Sequence, residues 1–148
     1  MSYCTQAQIQ ARISLAGVEY VADDDGDGVA GTTEKTNSLG TAITAADVEI
    51  DEALTPHGFS LPLSASDSWL TVQAINLAAE HACERSGGGV PASLAAAAQR
   101  SRDKLNQVRL GEIRVPGLTY PLDGYQEERR RLGVPRAANP SCRRGRRR

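Results

Sequence analysis

The sequence predicts a small all-α protein, a bundle of about four helices followed by an extended C-terminal arm. Two patterns carry this expectation. Apolar residues recur at spacings of three and four along several stretches, as on a helix with one buried face, and Gly- and Pro-rich breaks separate those stretches. Beyond Pro121 no such periodicity remains. The 148 residues therefore divide into a helical domain over 1–120 and an Arg-rich arm over 121–148, and one domain is what this length allows.

Thr5 is a suitable N-cap for a short first helix in which Ile9 and Ile13 share a face. Residues 15–22 are open between a last helical turn and a short extended piece, and the Asp- and Gly-rich run 23–31 reads as a loop. A second helix runs from near Thr33 to about Leu54, with Leu39, Ile43, Ala46, Ile50 and Ala53 on one stripe. Thr55-Pro56-His57-Gly58 ends it, because Pro disfavours helical geometry in the residue before it and Gly suits a chain reversal. Phe59 to Leu63 is an extended link around Pro62. The third helix starts at Ser66 or Asp67 and continues to about Arg85. Leu70, Val72, Ala74, Ile75, Leu77, Ala78, Ala79 and Ala82 leave it apolar nearly all round, the pattern of a central, buried helix. Ser86 to Gly89 breaks that helix, and Pro91 opens a fourth one where its missing N–H costs least. Leu94, Ala98, Leu105 and Val108 form its inner stripe, with Arg100, Arg102 and Lys104 on the outer side. Glu112 to Leu118 reads as a short strand or hairpin arm, interrupted by Pro116.

A net charge of −1 conceals an asymmetry. Residues 1–128 hold eighteen acids against eight bases, a net −10, whereas residues 129–148 hold nine arginines and no acid, a net +9. The two ends should therefore meet different partners. Ala accounts for 21 residues and Phe for one, so the core should be thin and in need of neighbours. No stretch approaches the ~18–20 apolar residues of a membrane span, and the opening Met-Ser-Tyr-Cys-Thr-Gln lacks a signal-peptide layout. Cys4, Cys83 and Cys142 are far apart and odd in number. Disulfide frameworks and zinc sites are not expected, and a reducing, cytoplasmic setting is.

The sharpest chemical motif is Asp23-x-Asp25-x-Asp27-Gly28 followed by Glu34, which satisfies the spacing of a calcium loop whose oxygens converge on a hard cation. Ala30 and Gly31 depart from that template. The competing reading is an acidic turn entering a helix, with Glu34 in the first turn where the helix dipole favours it. On balance no cofactor is expected, and Asp23, Asp25, Asp27 and Glu34 stand as the candidate calcium ligands.

A second acidic cluster, Asp47, Glu49, Asp51 and Glu52, reads as a solvated face, or as one neutralised by basic groups on a partner. His57 and His81 have no serine or cysteine partner at motif spacing, and His81 reads as a satisfied core residue. There is no G-x-S-x-G, phosphate loop or H-E-x-x-H, and an enzyme is not expected. In the tail, Arg129, Arg130, Arg131, Arg143, Arg144, Arg146, Arg147 and Arg148 could neutralise carboxylates or phosphates. A nucleic-acid module would interleave aromatics with basic residues, and this tail offers only Tyr125. A partner-docking arm is the expectation.

Taken together, the opening Met-Ser-Tyr, the Asp-Asp-Asp-Gly-Asp-Gly-Val loop, the segment from Ala42 to Asp51 and the link Leu61-Pro62-Leu63 resemble the Mu-type head–tail connector proteins of tailed phages. The end of the fourth helix, Leu105 to Gly111 followed by Glu112-Ile113, resembles them too, so the likeness covers about residues 1–115. It implies a small helical adaptor that forms a ring, typically of twelve copies, beneath the portal of the DNA-filled head. Its implied partners are the portal protein, neighbouring copies of itself and the next tail-side connector or tail protein. No membrane is involved, and DNA passes through the channel without sequence-specific binding. The implied location is the head–tail interface of the virion, after synthesis in the host cytoplasm. Two other classes compete: a calcium-binding module built on the acidic loop, and a nucleic-acid-binding accessory module using the arginines.

Overall fold

Five α-helices and one 3-10 turn organise the described residues, with no strand among them. The structure, a computed structural model, describes residues 2–23, 30–63, 68–86 and 89–121. The helices are α1 (Gln6–Ile13), α2 (Leu15–Ala22), α3 (Thr32–Leu54), α4 (Ser68–Arg85) and α5 (Ala92–Arg109). The expected small all-α bundle is what forms, with one helix more than about four.

The additional helix is α2, and a single residue creates it. Thr5 caps α1 as its sequence suggests, with Gln8 Oε1 accepting from Thr5 N at 2.8 Å in return. At Ser14 the backbone turns to φ 78°, which halts α1, and the Ser14 hydroxyl accepts from Gly17 N at 3.3 Å to start α2. Val18, Val21 and Ala22 then turn inward at helical spacing.

All five residues of the α3 stripe, Leu39, Ile43, Ala46, Ile50 and Ala53, are buried. Its end departs from expectation. Thr55 keeps helical angles (φ −49°, ψ −45°) although Pro56 follows, and the chain tightens into a 3-10 turn over Thr55–His57. Gly58, at φ 75°, is what stops it.

Helix α4 lies at the centre, in contact with each of the other four. Ala74, Ala78, Ala79 and Ala82 are buried, and their small side chains let the Ala42, Ala46 and Ala53 stripe of α3 approach closely. The helix is not buried all round, however: Val72 is 53% exposed, while Gln73 and Glu80 are buried. The α5 stripe Leu94, Ala98, Leu105 and Val108 faces inward as read. Asn76 of α4 donates to Ser101 of α5 at 3.2 Å, across the antiparallel pair that their short connection dictates.

No strand forms between Glu112 and Leu118. A strand needs a ladder partner for its backbone groups, and this segment instead folds back over the end of α3. Tyr120 is buried; its hydroxyl accepts from Val115 N at 2.7 Å, and its ring meets His57 and Phe59 edge-on at 5.2 and 4.9 Å. His57 Nε2 donates to Val108 O at 2.6 Å, which ties the 3-10 turn to the last turn of α5. Cys4 and Cys83 are free and buried. Burial, aided by Asp47, pushes the Cys4 thiol up to about 11, and Cys142 lies outside the described residues.

The α1–α2 corner generates a prediction. A Cβ at Gly17 would stand 2.6 Å from Cγ2 of Ile13, an atom on a β-branched side chain with little rotamer freedom in a helix. Gly17→Ala should therefore destabilise the fold by ~1–3 kcal/mol, the usual range for overpacking, as read from the midpoint of a urea melt.

Candidate functional site

The charged residues of α3, α4 and α5 converge on one guanidinium. Arg102 donates from Nε to Glu49 Oε2 at 3.0 Å and from Nη2 to Glu49 Oε1 at 3.3 Å, a two-point fork. Its Nη1 lies 2.6 Å from Glu80 Oε2. This last contact is an ion pair rather than an aligned hydrogen bond, since among the described residues Glu80 Oε2 meets no donor in hydrogen-bonding alignment. His81 Nε2 donates to Glu49 Oε1 at 2.7 Å, and its Nδ1 faces Glu84 Oε2 at 3.5 Å. Burial pushes the Glu49 carboxyl up, but the bonds from Arg102 and His81 outweigh it and hold the group below the usual carboxylate range. The same fork with Glu49 raises the Arg102 pKa further.

Three sequence expectations change here. Arg102 does not share the outer side with Arg100 and Lys104; two residues along a helix rotate the side chain by ~200°, which brings Arg102 to the α3 seam. Glu49 belongs to an internal network rather than a solvated face, so the neutralising bases come from this same chain. His81 is partly exposed at the rim of that network, not in the core. The rest of the acidic cluster is divided in function. Tyr3 donates from its backbone N to Asp47 Oδ1 at 3.0 Å and from its hydroxyl to Asp51 Oδ1, so the N-terminal segment clamps the end of α3. Burial, and then the Asp51 bond, raise the Tyr3 pKa. Glu52 stays exposed.

Two grooves flank this seam. One, of about 370 Å³, opens between α1, α4 and α5 beside Val72 and carries Arg12, Arg100 and Lys104. The other, of about 560 Å³, runs along the outer side of α3 past Thr41, Thr44, Ala45 and Val48 to His81. Exposed aliphatic side chains mark both, Val72 at 53% and Val48 at 51%.

Of the candidate calcium ligands, Asp23 follows α2 and Glu34 sits in the first turn of α3, while Asp25 and Asp27 lie outside the described residues. Glu34 Oε2 accepts from Gly31 N at 2.5 Å, the helix-entry role expected of the non-metal reading. Among the described residues no group of three or more His, Cys, Asp or Glu side chains is placed to hold a metal ion. Nor, among them, is any helix long and apolar enough to cross a membrane. Arg129, Arg130, Arg131, Arg143, Arg144, Arg146, Arg147 and Arg148 all lie outside the described residues.

Three predictions follow from this geometry. Arg102→Met should cost ~3–5 kcal/mol in a denaturant melt, because it strands the buried Glu80 carboxylate without a counter-charge. The Glu49 contribution is complete above the ordinary glutamate value of ~4.3 and is lost as pH falls through the lower folded value. Glu49→Gln should therefore flatten the acid limb of a stability–pH curve. With Glu34 serving helix entry, excess calcium should leave the melting temperature within ~1 °C of the value in chelator, since binding with useful affinity would raise it by linkage. A rise of several degrees that Asp25→Ala abolishes would instead assign the loop to calcium.

No curated protein matches the chain. The family described as bacteriophage Mu, Gp36 does, over residues 3–131. That span takes in all five helices, the Asp23–Glu34 loop and Arg129 to Arg131, and leaves out Arg143 to Arg148. By this match the chain belongs to a bacteriophage family, that of bacteriophage Mu, Gp36.

Proposed function

We propose that the chain is a structural virion protein, a head-to-tail adaptor that forms a ring under the portal and links the DNA-filled capsid to the tail. Membership of a phage Mu family across residues 3–131 carries this reading, together with the resemblance of about residues 1–115 to Mu-type connectors. The fold supports it. A bundle cross-braced by ion pairs, with aliphatic side chains left exposed on more than one side, suits a part that touches several neighbours and changes little in shape. On this reading the portal, adjacent copies and a tail-side protein are the partners, and the genome passes without sequence-specific contact.

The Arg-rich arm is the portal-docking element in this account. The +9 of its residues 129–148 complements acidic surfaces, and guanidinium forks pair carboxylates in two-point fashion. Arginines lining a DNA channel would instead hold phosphates and oppose genome passage.

Phage particles assembled without this chain should contain filled heads that carry no tails, and adding the purified protein should restore joining. Tails attached normally in its absence would overturn the proposal. Neutralising Arg129, Arg130 and Arg131 to Ala in the full chain should weaken binding to purified portal about tenfold, ~1.4 kcal/mol, with the melt of the bundle unchanged. Unchanged portal binding together with lost affinity for duplex DNA would favour the nucleic-acid reading.

A further inference from the structure

The two grooves differ in charge and face opposite ways. Val72 and His81 are nine residues apart on α4, about two and a half turns at 3.6 residues per turn, so the grooves they border open on opposite sides of the helix. Helix α5 agrees: Arg100 and Lys104 border the first groove, while Arg102 points to the α3 seam.

The first groove is cationic. No acidic residue lines it, and Arg12, Arg100 and Lys104 have no carboxylate partner among the described residues. Its polar floor is already satisfied: Asn76 donates to Ser101, and Gln73 Nε2 donates to Trp69 O at 3.0 Å. Among the described residues, nothing in the bundle neutralises these cations.

The second groove is apolar with an acidic border. The Thr41 hydroxyl donates to Asn37 O and the Thr44 hydroxyl to Gly40 O, each at 2.9 Å. Those bonds turn the hydroxyls back onto the helix, so the outer side of α3 offers threonine methyls, Ala45 and Val48. Glu52, one turn beyond Val48, is exposed, and Glu84, beside His81, is 55% exposed.

We propose that the occupant of the cationic groove is the α3 face of a second copy of this chain. Val48 of one copy packs against Val72 of the next, and Glu52 and Glu84 meet Arg12, Arg100 and Lys104. Opposite signs on opposite sides make the contact head-to-tail, and such contacts propagate from copy to copy until the rotation closes a ring. The inference rests on the adaptor reading and specifies which faces of adjacent subunits meet.

A charge-reversal exchange tests it in the full-length protein. Arg100→Glu with Lys104→Glu, and separately Glu52→Lys with Glu84→Lys, should each reduce self-association at least about tenfold in sedimentation velocity at low salt. The first variant should keep the wild-type melt, since Arg100 and Lys104 are exposed; the second also loses the Glu84 contact with His81, a largely exposed pair, and should stay folded with at most a small drop in melting temperature. Mixing the two variants should restore assembly, because each reversed face then meets its complement. Cross-linking covers the case of weak association. In a Cys142→Ser background, Val48→Cys mixed with Val72→Cys should give heterodimers on oxidation, whereas neither alone gives homodimers. Wild-type assembly on portal-bearing heads that tolerates the reversals, or Val48→Cys homodimers, would overturn this pairing and leave the adaptor reading standing. Tails attached to heads that lack the chain would overturn the adaptor reading itself.

Discussion

The Arg102 guanidinium is the contact on which the arrangement of α3, α4 and α5 depends. Glu80 is 6% exposed, a position where an unpaired carboxylate costs several kcal/mol. Helix α4 can carry that group at its centre because Arg102 reaches it from α5 while forking onto Glu49 of α3. Apolar packing alone would let Ala-lined helices slide, since Ala offers little relief for ridges to grip. A fork with fixed geometry sets the register instead. This is also how an acidic body tolerates its own charge: three of its carboxylates, Glu49, Asp47 and Asp51, are held by Arg102, His81 and Tyr3.

The periodic part of the fold was legible because it rests on local rules. The α3 stripe from Leu39 to Ala53 and the α5 stripe from Leu94 to Val108 are buried as their spacing requires, and Thr5 and Gly58 act as cap and stop. What spacing could not reveal depends on distant pairs. Glu49, Glu80 and Arg102 are separated by 31 and 22 residues, and only the folded bundle brings them together. Arg102 parts from Arg100 and Lys104 because two residues along a helix turn the side chain by ~200°. A strict helical wheel over the charged positions would have separated it from them. Helix α2 escaped because its boundary is a backbone turn at Ser14, a residue that rarely adopts positive φ.

The site was legible in outline and not in detail. The order of weak motifs pointed to a phage connector family, and the match over residues 3–131 places the chain in a phage Mu family. The residues singled out for partner binding were the most conspicuous charges, in the tail. The grooves were hidden from such a reading, because the threonine hydroxyls that look polar in sequence are turned inward in the helix, and because Val48 and Val72 look like ordinary members of apolar runs.

The fastening of Tyr120 has a mechanical consequence. Tension on the chain beyond residue 121 would enter the bundle through Tyr120, whose ring is wedged against His57 and Phe59 and whose hydroxyl is held by Val115 N. From there it passes by way of His57 to Val108 O and the close of α3 together. Helix α5 is thus spared the geometry in which a helix fails most easily, turn by turn from a free end. A pull must first shear the aromatic contacts sideways, and the helices on either side share the strain.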